Sequence, residues 1–139
     1  MNLVTVVKFL TVLGLCGAMT MKQIRNTGKM MRKTCQPKNN VADEKIDPIN
    51  EGVFIEEKEV MCYMACIMKM ANAIKNNKLH LDSALKQADL LLPEEIKEPA
   101  KQAIIACRKY AESSKDICEA SFQITKCIYN ENPEIFYFP

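Results

Sequence analysis

Six cysteines carry the repeated reactive chemistry of this sequence: Cys35, Cys62, Cys66, Cys107, Cys118 and Cys127, with 26, 3, 40, 10 and 8 residues between successive members. A seventh, Cys16, sits in the leader MNLVTVVKFLTVLGLCGA, which has one lysine, a short apolar run and then the small residues Gly17 and Ala18, the pattern of a secretory signal. An even set of thiols sent to an oxidising compartment pairs as disulfides by default. That compartment and the spacing both argue against zinc. His80 is the single histidine, with Asp82 close by. There is no second histidine, no G-x-S-x-G motif, and no calcium loop of the kind secreted phospholipases place near a His beside a Cys pair. The expectation is therefore a protein with no catalytic residues, no metal and no cofactor, in which His80 is a surface residue of a loop.

Cleavage is expected after Ala18, with Thr20 as the alternative, which divides the chain into a signal peptide over 1–18 and one domain over 19–139 of about 121 residues. Nothing after the leader approaches the roughly 20 apolar residues of a membrane-spanning helix, so the product is expected to be released, extracellular and not stably inserted in a membrane. Without Lys8 the chain keeps 18 basic against 17 acidic residues, interspersed. That leaves no basic stripe for nucleic acid. The charge runs EEKE at 56–59 and PEEIKE at 93–98 read as solvated helix starts.

These cysteines need elements to hold them, and the periodicity supplies helices. No stretch alternates usefully with period two, and only four glycines occur. Thr20 can cap a first helix running to about Lys33, where Cys35-Gln-Pro-Lys stops it. Asp43 can cap a second, with Pro48 inside and Gly52 at its end. From Glu57 to Asn76, Val60, Met64, Ile67, Ala71 and Ile74 recur every three or four residues, giving the longest helix. Asp82 to Leu91 forms a fourth, Pro93 opens a fifth through Ile96, Ala100, Ala103 and Cys107, and Asp116 to Tyr129 makes a sixth. Asn132-Pro133 then separates an apolar tail, Ile135 to Pro139.

Cys62 and Cys66, four apart on the third helix, point the same way and should reach two different neighbours. Cys118 and Cys127 lie on opposite sides of the sixth. The simplest pairing is Cys35 with Cys66, Cys62 with Cys118 and Cys107 with Cys127; exchanging the partners of Cys62 and Cys66 is also compatible with this geometry.

A helical secreted chain with C-x26-C-x3-C-x40-C-x10-C-x8-C resembles the insect odorant-binding proteins, the pheromone and general odorant-binding family, along essentially its whole mature length. Met61-Cys62-Tyr63, a start at Met19-Thr20-Met21 and the finish Phe138-Pro139 look like Lush-type members. The resemblance implies an all-α bundle of about six helices, three interlocked disulfides in the pairing just preferred, and an apolar pocket. Lush-like relatives place hydroxyl residues where this chain has Met68 and Ala73, so its pocket should be greasier.

Residue chemistry is compatible with such a hollow. Three disulfides closing long loops are worth on the order of 10 kcal/mol in the chain-entropy model. An apolar cavity of about 400 Å³ costs a similar amount at roughly 24 cal/mol per Å³. Methionines concentrate at Met30, Met31, Met61, Met64, Met68 and Met70, side chains able to repack around varied guests. The expected walls are Met31, Met64, Met68, Ala73, Leu79, Leu91, Phe122, Ile128, Phe136 and Phe138, the last two on a tail folded back over the chamber. Asp116, Glu131 and Glu134 are the carboxylates expected to loosen that tail in acid. The implied function is a carrier for a small hydrophobic molecule, of the medium- or long-chain alcohol, aldehyde, ester or fatty-acid type. A chemosensory receptor is the expected recipient, and the carrier a monomer or weak homodimer. The rival is a saposin-like membrane-active protein, which would want paired cysteines and a basic helix face that are absent here.

Overall fold

The computed structural model describes residues 17–139 and is all-helical apart from one minimal hairpin. The leader up to Cys16 lies outside the described residues. The α-helices are α1 (Met21–Asn39), α2 (Asp43–Ile46), α3 (Lys58–Met70), α4 (Leu81–Leu91), α5 (Glu94–Ala106) and α6 (Ile117–Glu131), with short 3-10 segments at Asp47–Glu51 and Arg108–Tyr110.

Helix α1 starts where a capping box predicts: the Thr20 hydroxyl accepts from the Gln23 amide, and the Gln23 side chain accepts from the Thr20 amide. It runs past Lys33, through Pro37, to a left-handed Asn40 whose N–H closes on Gln36 and Pro37 carbonyls. A proline in a last turn forfeits one ladder bond, and the Asn39 side chain, donating to the Cys35 carbonyl at 2.8 Å, helps to hold that turn. The expected second helix is broken in two. Asp43 is its first residue rather than its cap, and the chain tightens to 3-10 geometry at Pro48 and stops at Gly52, φ +83°. Asp43 spends its carboxylate on Arg32 and Gln36, tying the segment to α1.

Helix α3 ends at Met70, six residues short of the expected Asn76. Asn72, Asn76 and Asn77 all take positive φ, so the chain turns and Ile74–Lys75 pairs antiparallel with Lys78–Leu79 across a two-residue Asn-Asn turn. Two left-handed residues between paired strands make the tightest hairpin connection, and asparagine tolerates that conformation better than most residues. With two residues per strand there is no alternation to detect.

Helices α3 and α6 form the central pair. Val60, Tyr63, Met64 and Ile67 bury one face of α3, while Ala120, Ser121, Ile124 and Thr125 bury the facing side of α6. Asp116 caps α6 through the Cys118 amide and is held by Lys58 at the start of α3. Helix α1 crosses α3, and α4 and α5 pack on each other beside α6. The disulfides are Cys35–Cys66, Cys62–Cys118 and Cys107–Cys127, so α1 is stapled to α3, α3 to α6, and the end of α5 to α6.

Candidate functional site

The tail does return across the bundle. Phe138 is buried in the main core with Tyr63, Met64 and Ile67. Asn50 fixes it as a neighbouring strand would: its side-chain carbonyl accepts from the Phe138 amide at 2.8 Å and its amide donates to the Phe138 carbonyl at 2.7 Å. The Tyr63 hydroxyl donates to a Pro139 oxygen at 2.5 Å. Burial pushes the Tyr63 and Tyr137 phenols upward from their ordinary pKa, so both remain protonated donors. Tyr137 lies along α1 at Gly28, where a Cβ would stand 2.4 Å from the phenol oxygen and 3.1 Å from Pro139. Rings run on from the tail into the core, Phe138 against Phe136, Phe136 against Tyr129, and Tyr129 against Phe54, at centroid distances of 6.5, 5.2 and 5.7 Å.

Under this strap lies a chamber in two lobes. The larger, about 370 Å³, lies between α1, α3 and α4 and is lined by Thr27, Met31, Ile67, Ala73, Ala84 and Leu91 among others. The smaller, about 220 Å³, lies between α5, α6 and the tail and is lined by Ile96, Ala100, Ala103, Thr125, Asn132 and Phe136 among others. Ile24, Met68, Leu92, Ile104, Ile128, Tyr137 and Phe138 face both. No charged side chain lines either lobe; the polar side chains are Thr27, Gln87, Thr125, Asn132 and the Tyr137 phenol. Such a wall can bind by burying apolar surface, at roughly 25 cal/mol per Å², with a few hydrogen-bonding points.

The structure brings Met31, Met68, Ala73, Leu91, Ile128, Phe136 and Phe138 to the chamber. Three residues expected there lie elsewhere. Met64 and Phe122 are fully enclosed in the solid core, Phe122 at 6.0 Å from Phe54. Leu79, in the hairpin, borders two surface depressions, one of them beside the exposed His80 and Arg108. No residue of helix α5 is among the expected walls, yet Ile96, Ala100, Ala103 and Ile104 line the chamber. The signal available was its alanines: Ala100 and Ala103 on the inward stripe are too small to fill the space between helices. Of the carboxylates expected at the tail, Asp116 is engaged with Lys58, and Glu131 and Glu134 form no ion pair among the described residues. The tail's hydrogen bonds use an amide and phenols instead.

Two hydroxyls are buried on α6, of which Thr125 lines the smaller lobe. Thr125 is buried and donates to the Ser121 carbonyl at 2.7 Å. The Ser121 hydroxyl is fully buried with no partner, a state costing about 1–3 kcal/mol.

Known proteins share this sequence and this architecture. Residues 17–131 match the PBP/GOBP family. General odorant-binding protein 72 of Anopheles gambiae is 34% identical over 122 residues, 88% of this chain and all of that one. General odorant-binding protein 19a of Drosophila melanogaster is 35% identical over 123 residues, 86% of this chain and 84% of its own. Among solved structures, odorant binding protein 5 of Apis mellifera superposes with a TM-score of 0.81 at 33% identity, over 88% of this chain and 99% of that one. Odorant binding protein 4 of Chrysopa pallens superposes at 0.79 and 38% identity, over 87% and 99%. With the six-cysteine spacing, the helical bundle and these likenesses in agreement over most of its length, the chain belongs to the PBP/GOBP family.

Proposed function

We propose that this chain is a secreted, non-enzymatic carrier that encloses one small hydrophobic molecule of odorant or pheromone type, moves it through an aqueous secretion and delivers it to a chemosensory receptor. The observation that carries the reading is the two-lobed chamber without a charged side chain, roofed by the chain's own tail. Family membership, with relatives named for odorant binding, supports it. In this reading Met31, Met68, Ala73, Leu91, Ile128, Phe136 and Phe138 touch the guest, while Met64 and Phe122 only brace the helices behind them.

The working form starts at Met19. The Met19 backbone nitrogen donates to the Leu91 carbonyl at 2.8 Å and remains a donor as the new amino terminus, and Thr20 caps α1, so cleavage after Ala18 keeps contacts that cleavage after Thr20 would remove. It acts as a monomer or weak homodimer.

The test is displacement of a hydrophobic fluorescent probe from the 19–139 protein, beside the same chain ending before Ile135. Micromolar probe binding, displaced by medium-length apolar molecules and at least tenfold weaker or faster-exchanging in the truncated protein, is the expected result. Failure of the probe to bind while vesicles leak on adding the protein would replace the carrier with a membrane-active protein.

A further inference from the structure

A chain beginning at Met19 carries a charge that no side chain of the chamber supplies. Gly17 and Ala18 are exposed, whereas Met19 is partly buried and lines the larger lobe together with Leu91 and Leu92. Its nitrogen is fixed at that wall, donating to the Leu91 carbonyl at 2.8 Å. An α-amino group ordinarily titrates at about 8, so near neutral pH it is an ammonium with more than one proton to give. Leu91 takes one, and the others are left for a second acceptor.

We infer that the Met19 α-ammonium is an anion-recognition subsite at the rim of the larger lobe, taking the carboxylate of a long-chain acid whose hydrocarbon lies against Met31, Ala73 and Leu91 and runs inward past Met68. This inference rests on the carrier reading of the chamber and on the start at Met19, and it narrows the guest. The side chains alone would refuse an acid, because a carboxylate buried among neutral walls loses its water and gains no partner. At the rim the ammonium is that partner, through charge-assisted hydrogen bonds, and only the hydrocarbon needs to be enclosed. Thr27, Gln87 and the Tyr137 phenol, the polar side chains of this lobe, are neutral and can serve an acid and an alcohol alike. On the turns that flank Leu91, Asp89 is held by Lys101 and Glu94 by Lys97, which leaves Glu95 as the rival carboxylate of that stretch.

The measurement is displacement of the fluorescent probe, at about pH 7, by a twelve-carbon carboxylate and by the primary alcohol of the same length. Three forms of the protein are compared: 19–139 with its free α-amine, the same chain acetylated on that amine alone, and 17–139, in which Gly17 and Ala18 carry the amine up to about 7 Å away. Acetylation should lower the affinity ratio of acid to alcohol by about tenfold and leave the alcohol's own affinity unchanged, and the 17–139 form should lose most of the same advantage. A ratio untouched by acetylation would overturn the subsite, whether the amine is engaged by Glu95 or faces away from the lobe. So would a secreted protein whose intact mass places its first residue elsewhere than Met19. Either result leaves the carrier standing as long as the alcohol displaces the probe. If neither guest displaces it from any form, the carrier reading falls and the subsite with it.

Discussion

Gly28 shows how far one side chain, or its absence, reaches. Glycine in the interior of a helix costs about 1 kcal/mol relative to alanine, and α1 carries that cost two turns from its start. The return is room for Tyr137 and Pro139. Gly28→Ala should therefore improve the helix and harm the strap: thermal stability unchanged or slightly higher, and a bound probe leaving about fivefold faster in stopped-flow, the equivalent of about 1 kcal/mol lost from tail docking. An unchanged off-rate would mean that the Tyr137 ring swings aside without consequence. At this scale the sequence was only partly legible. Met64 and Met68 look alike on a helical wheel, one turn apart, yet Met64 meets the core and Met68 the chamber. Which apolar residue faces a solid neighbour and which faces a gap depends on the shapes of other helices. Periodicity contains no information about that.

The elements were more legible, because caps and prolines act locally. Thr20, Pro93 and Asp116 open helices within a residue of where they were expected, and Gly52 closes its segment. The errors fell where local signals compete with tertiary ones: Pro37 stays helical because Cys35 beyond Lys33 is stapled to α3, and Asn72 ends α3 while the apolar repeat still continues through Ile74. The tail is held by Asn50, and Asn50→Ala removes both of its hydrogen bonds. Loss of two such bonds is worth about 1–3 kcal/mol. Hydrogen exchange at Phe138 and the probe's off-rate should rise by a comparable factor while the global unfolding midpoint hardly moves, since the disulfide-bonded helices remain.

Acid should act on a different element. The Lys45 amino group, through its hydrogen bond, lowers Glu59 from its ordinary 4.5 to about 2, and the hydrogen bond from Lys58 holds Asp116 below the ordinary carboxylate range. A carboxylate depressed by folding stabilises the protein above its ordinary pKa and loses that contribution as pH falls toward the depressed value. Stability should thus be level above about pH 5 and decline between about 4.5 and 2, with Lys45→Met flattening the decline and His80→Ala leaving it untouched. Both ion pairs hold the start of α3, so ligand release in acid should accompany loosening of the bundle. Release at pH 5 with unchanged stability would show that the tail has a switch of its own.

On the scale of the whole molecule, covalent ties and hollow belong together. The three bridges span 31, 56 and 20 residues and jointly restrain the unfolded chain by on the order of 10 kcal/mol. Intact mass should rise by six hydrogens on reduction. The reduced protein should lose probe binding before it loses all helicity, because the chamber walls come from helices that the bridges hold apart from full collapse. The cysteine framework was the most legible feature of the sequence, since covalent pairing leaves few geometries; the hollow was legible only as permission, the capacity of those bonds to sustain one.

Phe138 belongs to the main core and also faces both lobes, and Met68 and Ile128 are shared between them. A substitution at Phe138 changes the guest and the fold together. Ile96 and Ala100 on α5 and Ala84 on α4 each face one lobe and lie outside that core cluster. Substitutions on these faces of α4 and α5 should therefore reshape the chamber at little cost to folding, which thermal unfolding beside probe binding for Ala84 and Ile96 variants would measure.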